Sequence, residues 1–204
     1  GLSEDCIEKI IDGNVGQDSW LSAIFFGIGD SAANHCDDGL LQESIDNIKK
    51  RSKPLADCKC SNDCSGVDKA LELFGEALHG LQDFYSHSTW VEANGGTDET
   101  HIGDAQTREA VPIFDLGSIY SNYNGSLEGI QSGTFSWPNG GTHGKVHKDK
   151  YSSDRGGMLT SGGICNYALA FDAAERATAA LWQNVKANMT DACAIQMAKC
   201  CGLK

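Results

Sequence analysis

The sequence predicts a mainly α-helical domain that is crosslinked by disulfides. Only three of its 204 residues are proline, and long stretches contain no helix breaker. Nine cysteines are spread along the whole chain. Apolar residues make up 40% and charged residues 22%, a composition typical of a folded globular protein that excludes wholesale disorder. Because no linker, repeat or low-complexity tract interrupts the chain, we expect one domain over residues 1–204.

Apolar spacing divides most of the chain into helices. The third predicted helix has an apolar stripe that includes Leu41, Ile45 and Ile48. The last long helix is rich in alanine, and its small side chains allow another helix to approach closely. The predicted helices span residues 6–12, 18–27, 37–50, 66–91, 164–189 and 191–200, with short helical stretches at 104–110 and 112–120.

Two parts of the chain are predicted to be irregular. A cysteine-bearing loop is expected at residues 52–65, between two helices. Between residues 94 and 163 Gly, Ser, Asn, Thr and Asp dominate. Within that region, residues 133–163 form a loop long enough to indicate a function or an anchoring role for metal and disulfides.

Cysteines and glycosylation sequons together favour an extracellular, secreted protein. Sequons begin at Asn124 and Asn188, and both predict N-linked glycans. In an oxidising compartment most of the cysteines form disulfides, whereas a cytosolic chain would keep them as thiols. The chain begins at Gly1 without an initiator Met, so we expect a processed mature protein. The predicted disulfide cysteines are Cys6, Cys36, Cys58, Cys60, Cys64, Cys165, Cys193, Cys200 and Cys201.

The cysteine spacing also bears on connectivity. Cys58, Cys60 and Cys64 resemble half of a zinc knuckle, but no second half exists, so a crosslinked loop is favoured. The neighbours Cys200 and Cys201 are expected to pair with two different partners. Since nine is odd, one thiol stays free or bonds to another chain, and self-association through an intermolecular disulfide is a hypothesis.

Charge narrows the range of partners. Sixteen basic residues stand against 28 acidic ones, which gives a net charge of −12 and argues against nucleic acid as a routine partner. No apolar run approaches the roughly 20 residues that a membrane-spanning helix needs, so no transmembrane segment is expected.

The sharpest chemical feature is a ladder of side chains on the longest predicted helix. His79, Asp83 and His87 are four residues apart, so they lie on one face, and Trp90 falls on the same stripe. Two imidazoles with a carboxylate between them form a metal-ligand set, in which Asp83 can bridge two ions. The apolar residues of the helix occupy nearly the opposite face. An ordinary solvated face would show the same pattern.

Three residues near the start of the chain are further candidate ligands. His35 and Asp37 can converge on an ion in a turn that precedes a helix, and Asp18 follows Asn14 by one helical turn. Each has a simpler alternative. Asp37 would cap the next helix, His35 would lie on the surface, and Asn14 with Asp18 would cap rather than bind.

A resemblance to known families rests on the order of these motifs. Residues 78–92, which read LHGLQDFYSHSTWVE, resemble the signature helix of the HET-C family and of the amino-terminal module of certain von Willebrand factor A domain proteins. Four weaker motifs occur in the order typical of the family. They are Asn-x3-Asp at 14–18 and His-Cys-Asp at 35–37, before this helix, and the Gly-rich pieces at 133–141 and 162–164, after it. These families are distantly similar to zinc-dependent phospholipase C and the fungal single-strand nucleases.

The resemblance implies a phospholipase C/nuclease-like helical bundle with zinc as cofactor. It also implies a His before a Gly-Gly pair and one or two His on the last long helix, where this chain has Asn139, Asn166 and Ala170. His143 and His147 are the available substitutes. One to three zinc ions are therefore expected, since fewer imidazoles hold fewer ions. The implied metal ligands are Asp18, His35, Asp37, His79, Asp83 and His87.

Two hypotheses about function follow. The one favoured by the sequence is an extracellular module that binds partners or assembles with its own copies, and keeps a zinc-hydrolase-like site for structure. The alternative is a zinc-dependent phosphodiesterase, in which Asp83 bridges two ions and Asp37 or Asp18 orients the attacking water. Asp83 and Asp37 are the candidate catalytic residues. Phospholipid or single-stranded nucleic acid would be a substrate only under the alternative.

Overall fold

A mainly helical fold is confirmed by the computed structural model, which describes residues 1–18, 32–57, 64–95, 111–134, 146–153, 155–160 and 163–202. Within these ranges there is no β-strand, only isolated bridges between Ser88 and Ser132 and between Leu159 and Cys165. No helix of the described residues is long and apolar enough to cross a membrane. The helices whose full ranges lie within the described residues are α1 (Glu4–Gly16), α2 (Leu41–Asp57), α3 (Cys64–His87), α4 (Trp90–Ala93), α5 (Asn166–Ala187) and α6 (Asp191–Cys201).

Helix α3 lies at the centre of the fold. It packs against α1, α2 and α5, and its N-terminal half also meets α6. Its apolar residues recur at helical spacing and pack in a single core along 24 residues, which stabilises α3 over this length. The core residues that α3 contributes are Val67, Ala70, Leu71, Phe74, Ala77, Leu78, Leu81, Phe84 and Tyr85.

Two glycines bring α1 into direct backbone contact with α3. A Cβ atom at Gly13 would overlap the carbonyl of Glu72, and a Cβ at Gly75 would overlap the carbonyl of Ile10. Each helix therefore supplies the gap into which the other's backbone fits. This close crossing holds the C-terminal end of α1 beside the polar face of α3.

The longest helix ends earlier than predicted. A helix over 66–91 was expected, whereas α3 begins at Cys64, ends at His87 and is followed by the short helix α4. Long-range contacts cause the interruption. The His87 carbonyl accepts a hydrogen bond from the backbone N–H of Gly133 (2.7 Å), and the N–H of Thr89 donates to the Gln131 carbonyl (2.8 Å). These bonds replace the helical ones at this point.

Helix α2 is shifted along the chain relative to the prediction. It begins at Leu41 rather than at 37, because Asp38 has a left-handed backbone (φ 55°) that cannot continue a helix. It also runs past Pro54 to Asp57, through part of the segment predicted to be a loop. Burial of Leu55 and Ala56 holds this last turn in place.

Residues 111–134 contain no helix, so the predicted stretch at 112–120 is wrong. Backbone groups of this segment form hydrogen bonds with side chains of α3 and α4 instead. Trp90 Nε1 donates to the Pro112 carbonyl (2.8 Å), and the N–H of Phe114 donates to the Tyr85 hydroxyl (2.9 Å). The predicted helices at 18–27 and 104–110 lie almost entirely or entirely outside the described residues.

Disulfides join the start of the chain and the start of α3 to the end of α6. Cys6 is bonded to Cys201 and Cys64 to Cys200, so the two neighbouring cysteines have different partners. Cys193 is disulfide-bonded as well.

Two of the nine candidate disulfide cysteines are not in disulfides, whereas the odd number predicts one thiol that stays free or bonds to another chain. Cys36 and Cys165 carry free thiols. Cys36 is held in the core under α3, where its Sγ donates to the Gly80 carbonyl at 3.2 Å. Cys58 and Cys60 lie outside the described residues.

Candidate metal centre

Helix α3 presents His79, Asp83 and His87 on its polar face, at successive turns. All three side chains are largely buried: 7%, 14% and 2% of their surfaces are exposed. The face is covered because the turn before α2 and the end of α1 lie across it. It is therefore not the ordinary solvated face that the spacing also allowed.

The turn before α2 brings His35 onto this face. Its Nδ1 atom lies 2.8 Å from Asp83 Oδ2 and 3.0 Å from His79 Nε2. His79 Nε2 lies 3.0 Å from the same oxygen of Asp83. Three ligand-type atoms from two distant segments thus converge on one point.

Asp18, two residues beyond α1, adds a fourth such atom. Its Oδ1 lies 3.6 Å from His79 Nε2, and the ligand atoms of Asp18, His35 and His79 all lie within 4.8 Å of one another. Ligands held tetrahedrally at 2.0–2.2 Å from zinc are about 3.3 Å apart. The distances of 3.0–3.6 Å around His79 bracket that value, so the donor set fits a divalent cation.

Charge at this point is consistent with cation binding. Burial opposes ionisation of Asp83. The charges of His79 and His87 and the hydrogen bonds from His35 and His79 outweigh the effect of burial, and they hold the pKa of Asp83 well below its usual range. Burial likewise opposes protonation of His79, whereas Asp83 and Asp18 raise its pKa. In the metal-free protein, protons on the imidazoles thus balance the negative charge of the carboxylates. A cation bound at the same point would balance that charge instead.

His87 lies one turn beyond this point, and both of its ring nitrogens are engaged. Nδ1 donates to the His35 carbonyl at 3.0 Å, and Nε2 donates to Asp149 Oδ1 at 2.8 Å. Burial opposes its protonation, but Asp83, Asp149 and Asp37 together raise the pKa of His87 to about 9. The structure therefore places His87, a predicted ligand, against the backbone of His35 rather than at the convergence point.

Asp37, predicted as a ligand or as the residue that orients water, is fully buried. Its Oδ2 lies 3.8 Å from Nδ1 of His87, and Asp37 does not line the cleft described below. Its N–H donates to the Ala32 carbonyl, and helix α2 begins four residues later, so it is not an N-cap either.

The convergence point forms part of the wall of a cleft of about 590 Å³ between α1, α3 and α5. Asp18 is open to this cleft, with 68% of its side chain accessible, whereas His35 is nearly closed off. The opposite wall is formed by α5. The lining residues are Asn14, Asp18, His79, Gln82, Asp83, Ser86, Lys148, Asp149, Tyr167, Phe171, Ala174, Glu175 and Thr178.

The α5 positions that the resemblance pairs with histidines do not face this cleft. Asn166 and Ala170 are buried in the interior, at 0% and 1% exposure, so neither completes a second metal site. Asn139 and His143 lie outside the described residues, and His147 is half-buried outside the cleft lining.

Sequence reasoning missed Asp149, which contacts His87, and the amide pair beside Asp18. In that pair Asn14 Nδ2 donates to Gln82 Oε1 at 3.2 Å and joins α1 to α3. Asp149 lies in a segment without periodicity, so no pattern singles it out. Asn14 was noted only for its spacing from Asp18.

Among known families, the model of the VWA7 N-terminal domain matches residues 3–110, more than half of the chain. The matched range contains Asp18, His35, His79, Asp83 and His87. No curated protein and no solved structure matches the chain. The resemblance to phospholipase C and nucleases thus rests on sequence motifs alone.

Proposed function

The chain belongs to the VWA7 N-terminal domain family. For this member of the family we propose the function of a metal-dependent phosphoric ester hydrolase of the extracellular space. One observation carries the proposal. The ligand atoms of His35, His79 and Asp83 converge beside an open cleft, with the exposed carboxylate of Asp18 at its edge. Catalytic zinc sites have three protein ligands and a fourth position open to water or substrate, whereas structural sites are closed.

The chain's own residues have separate roles in this proposal. His35, His79 and Asp83 hold a divalent cation, with zinc as the first candidate because imidazole and carboxylate ligands suit it. Such a cation supplies the charge that ionises a water molecule near neutral pH and stabilises a departing oxygen. Asp18 would orient that water and accept its proton, since its carboxylate is exposed and reaches within 3.6 Å of His79.

The arrangement of α3 supports Asp18 rather than Asp37 as the water-orienting group. Asp37 has no exposed surface and does not line the cleft, so it cannot touch a substrate. The choice of phosphoric esters as substrates rests on the motif at residues 78–92 and its resemblance to the phospholipase C and nuclease families. Extracellular placement rests on the disulfides of Cys6 and Cys64 and on the two sequons.

A second candidate is a partner-binding or self-assembling module in which the metal has only a structural role. The charge of the cleft favours it. Four carboxylates line the walls, and the one lysine among the lining residues, Lys148, is completely buried, so no exposed cation from the described lining attracts a phosphate. In this case Cys165, a half-buried free thiol, provides the intermolecular disulfide.

Metal analysis and hydrolysis separate the two candidates. Zinc per chain is measured by elemental mass spectrometry on the full chain, together with cleavage of bis(p-nitrophenyl) phosphate, phosphatidylcholine micelles and single-stranded DNA. The hydrolase proposal expects at least one ion, activity on one substrate, and loss of both in Asp83→Asn. Asp46→Asn, an exposed change on α2, is the matched control and should keep both.

Two results would count against the hydrolase. Bound zinc without cleavage of any of the three substrates leaves the structural role and favours the binding module. Full activity in Asp83→Asn would contradict the assigned ligand set itself.

A further inference from the structure

Lys148 is a fully buried lysine outside the metal-binding residues. Its Nζ donates to the Ser88 carbonyl at 2.7 Å, to the Val146 carbonyl at 2.8 Å and to Glu92 Oε1 at 3.2 Å. An ammonium group has three donor hydrogens, so all of them are used. Ser88 and Glu92 lie at the junction of α3 and α4, and the backbone N–H of Lys148 donates to the Ser86 carbonyl at 2.9 Å. Both ends of this residue are therefore fixed to the end of α3.

The counterion Glu92 is also buried and belongs to α4. Arg155 Nη1 lies 3.6 Å from the same Oε1 atom, so Glu92 has two cationic neighbours. Burial lowers the pKa of Lys148, and Glu92 opposes that shift. A buried ion pair of this kind adds little net stability compared with apolar residues of similar volume. Its value therefore lies in the geometry that it imposes.

That geometry concerns the next residue. Asp149 follows Lys148 directly, and its Oδ1 accepts the hydrogen bond from Nε2 of His87 at 2.8 Å. The opposite nitrogen of His87 donates to the backbone carbonyl of His35. The side chain of His35 then contributes Nδ1 to the proposed metal centre. One continuous line of contacts thus leads from the buried ammonium to the metal ligand.

We propose that Lys148 is a positioning residue, which locks residues 146–149 against the end of α3 so that Asp149 holds His87, and through it the His35 turn, in the metal-binding geometry. Groups that orient a metal ligand from behind alter affinity by roughly 10- to 100-fold when they are removed. The role of Lys148 in holding a metal ligand rests on the proposed function, but the contacts from Lys148 to His87 and His35 do not need a metal.

A direct role of Lys148 in binding a substrate phosphate is a simpler explanation, and the geometry argues against it. The side chain has no exposed surface and its ammonium points to Ser88 and Glu92. A phosphate in the cleft would have to break three hydrogen bonds to reach it. Asp149, by contrast, is 41% exposed and lies at the cleft wall.

The test uses Lys148→Met, Asp149→Ala and their combination in the full chain, with Lys150→Met as the matched control in the same segment. Lys150 is exposed, so its removal changes charge without touching the buried contacts. The first readout is the ring Nε2–H signal of His87 in the ¹⁵N-edited NMR spectrum of chelated protein. The signal should be protected from exchange in wild type and the control. It should be lost in both single variants.

The second readout is zinc affinity, measured by competition with a chelating dye. Each single variant should weaken zinc binding about tenfold. The double variant should bind zinc no more weakly than Asp149→Ala, because both changes act through the same contact. Losses that multiply in the double variant would overturn the proposal. So would a protected His87 signal in Lys148→Met.

Two safeguards keep the outcomes distinct. If Lys148→Met does not fold, Lys148→Met/Glu92→Met replaces the ion pair by apolar side chains, a change that buried pairs often tolerate. The same loss of the His87 signal is then expected, and its retention overturns the proposal. If wild type binds no zinc, the proposed function fails, while the His87 signal in chelated protein still decides the role of Lys148.

Discussion

His35 Nδ1 lies 2.8 Å from Asp83 Oδ2, although 48 positions of the chain separate the two residues. Without a metal, this contact needs a hydrogen on Nδ1 of His35, because the Asp83 carboxylate can only accept. A cation at the same point needs the opposite, a bare nitrogen whose lone pair faces the ion. The raised pKa values of the neighbouring His79 and His87 favour the protonated, metal-free protein, whereas metal binding releases protons, so the two forms are stabilised over different ranges of pH.

We expect chelated protein to lose stability as pH rises. Burial opposes protonation of His87, but its carboxylate neighbours raise its pKa from 6.5 to about 9. A raised pKa contributes stability that is complete below 6.5 and is lost as pH rises towards 9, on the order of 3 kcal/mol for this group. His79, whose pKa is also raised, changes in the same direction. Asp83, whose pKa is lowered, contributes stability that is complete above 3.8 and is lost in acid.

Thermal unfolding at pH 6, 7.5 and 9 checks this expectation, with chelator in one series and zinc in the other. The melting temperature should fall with pH under chelator, whereas the difference between the series should widen, because zinc displaces fewer protons at high pH. A chelated protein that is equally stable at pH 6 and pH 9 would contradict the assignment.

The crossing of α1 and α3 should not tolerate a methyl group. Gly75→Ala places Cβ against the Ile10 carbonyl, which is backbone and cannot move aside, so we expect destabilisation of about 1–3 kcal/mol. Gly16→Ala is the control, since nothing lies within 4 Å of a Cβ there and alanine favours the helix by up to about 1 kcal/mol. Urea unfolding of both variants measures the difference. Equal effects would show that the helices do not cross so closely.

The two sequons should differ in occupancy. Asn124 is exposed, and its Nδ2 donates to Asp115 Oδ2 at 3.2 Å. Asn188 is half-buried at the end of α5, where its Nδ2 donates to the Asn184 carbonyl (2.8 Å) and side chain (3.1 Å). A glycan on Nδ2 of Asn188 would disturb this cap. In protein secreted from eukaryotic cells, the intact mass should lose its glycan in Asn124→Gln and keep it in Asn188→Gln.

The free thiols should differ in reactivity. Burial raises the pKa of Cys36, so its reactive thiolate is suppressed, and the side chain has no exposed surface. Cys165 is half-buried and should react first with iodoacetamide under native conditions, as peptide mass mapping would show. If the chain forms disulfide-linked dimers, Cys165→Ser should abolish them on a non-reducing gel and Cys36→Ser should not. Native alkylation of Cys36 would contradict its placement.

Local periodicity predicts the helices well but not their ends. The polar face of α3 follows from the spacing of His79, Asp83 and His87, because four-residue steps stay on one side of any helix. The stop at His87 does not follow from sequence, since it depends on bonds from Gly133 and on the buried Lys148, far along the chain. Local propensity contains no information about such partners.

The site itself was only partly predictable for the same reason. Asp18 and His35 were named as candidate ligands from motif order, yet their approach to His79 depends on how two separate turns close over α3. Both ring nitrogens of His87 have partners away from the convergence point, which the four-residue spacing alone cannot predict. Asp149 has no pattern at all, and only the fold brings it to His87.

The pairing of Cys6 with Cys201 and of Cys64 with Cys200 closes rings that span 195 and 136 positions of the chain. A protease that cuts the backbone once in the surface segments 111–134 or 146–153 opens these rings without releasing a fragment. The two pieces stay covalently joined, and α3 stays between its neighbours. The domain can therefore be nicked in a protease-rich environment and still migrate as one species until a reducing agent separates the pieces.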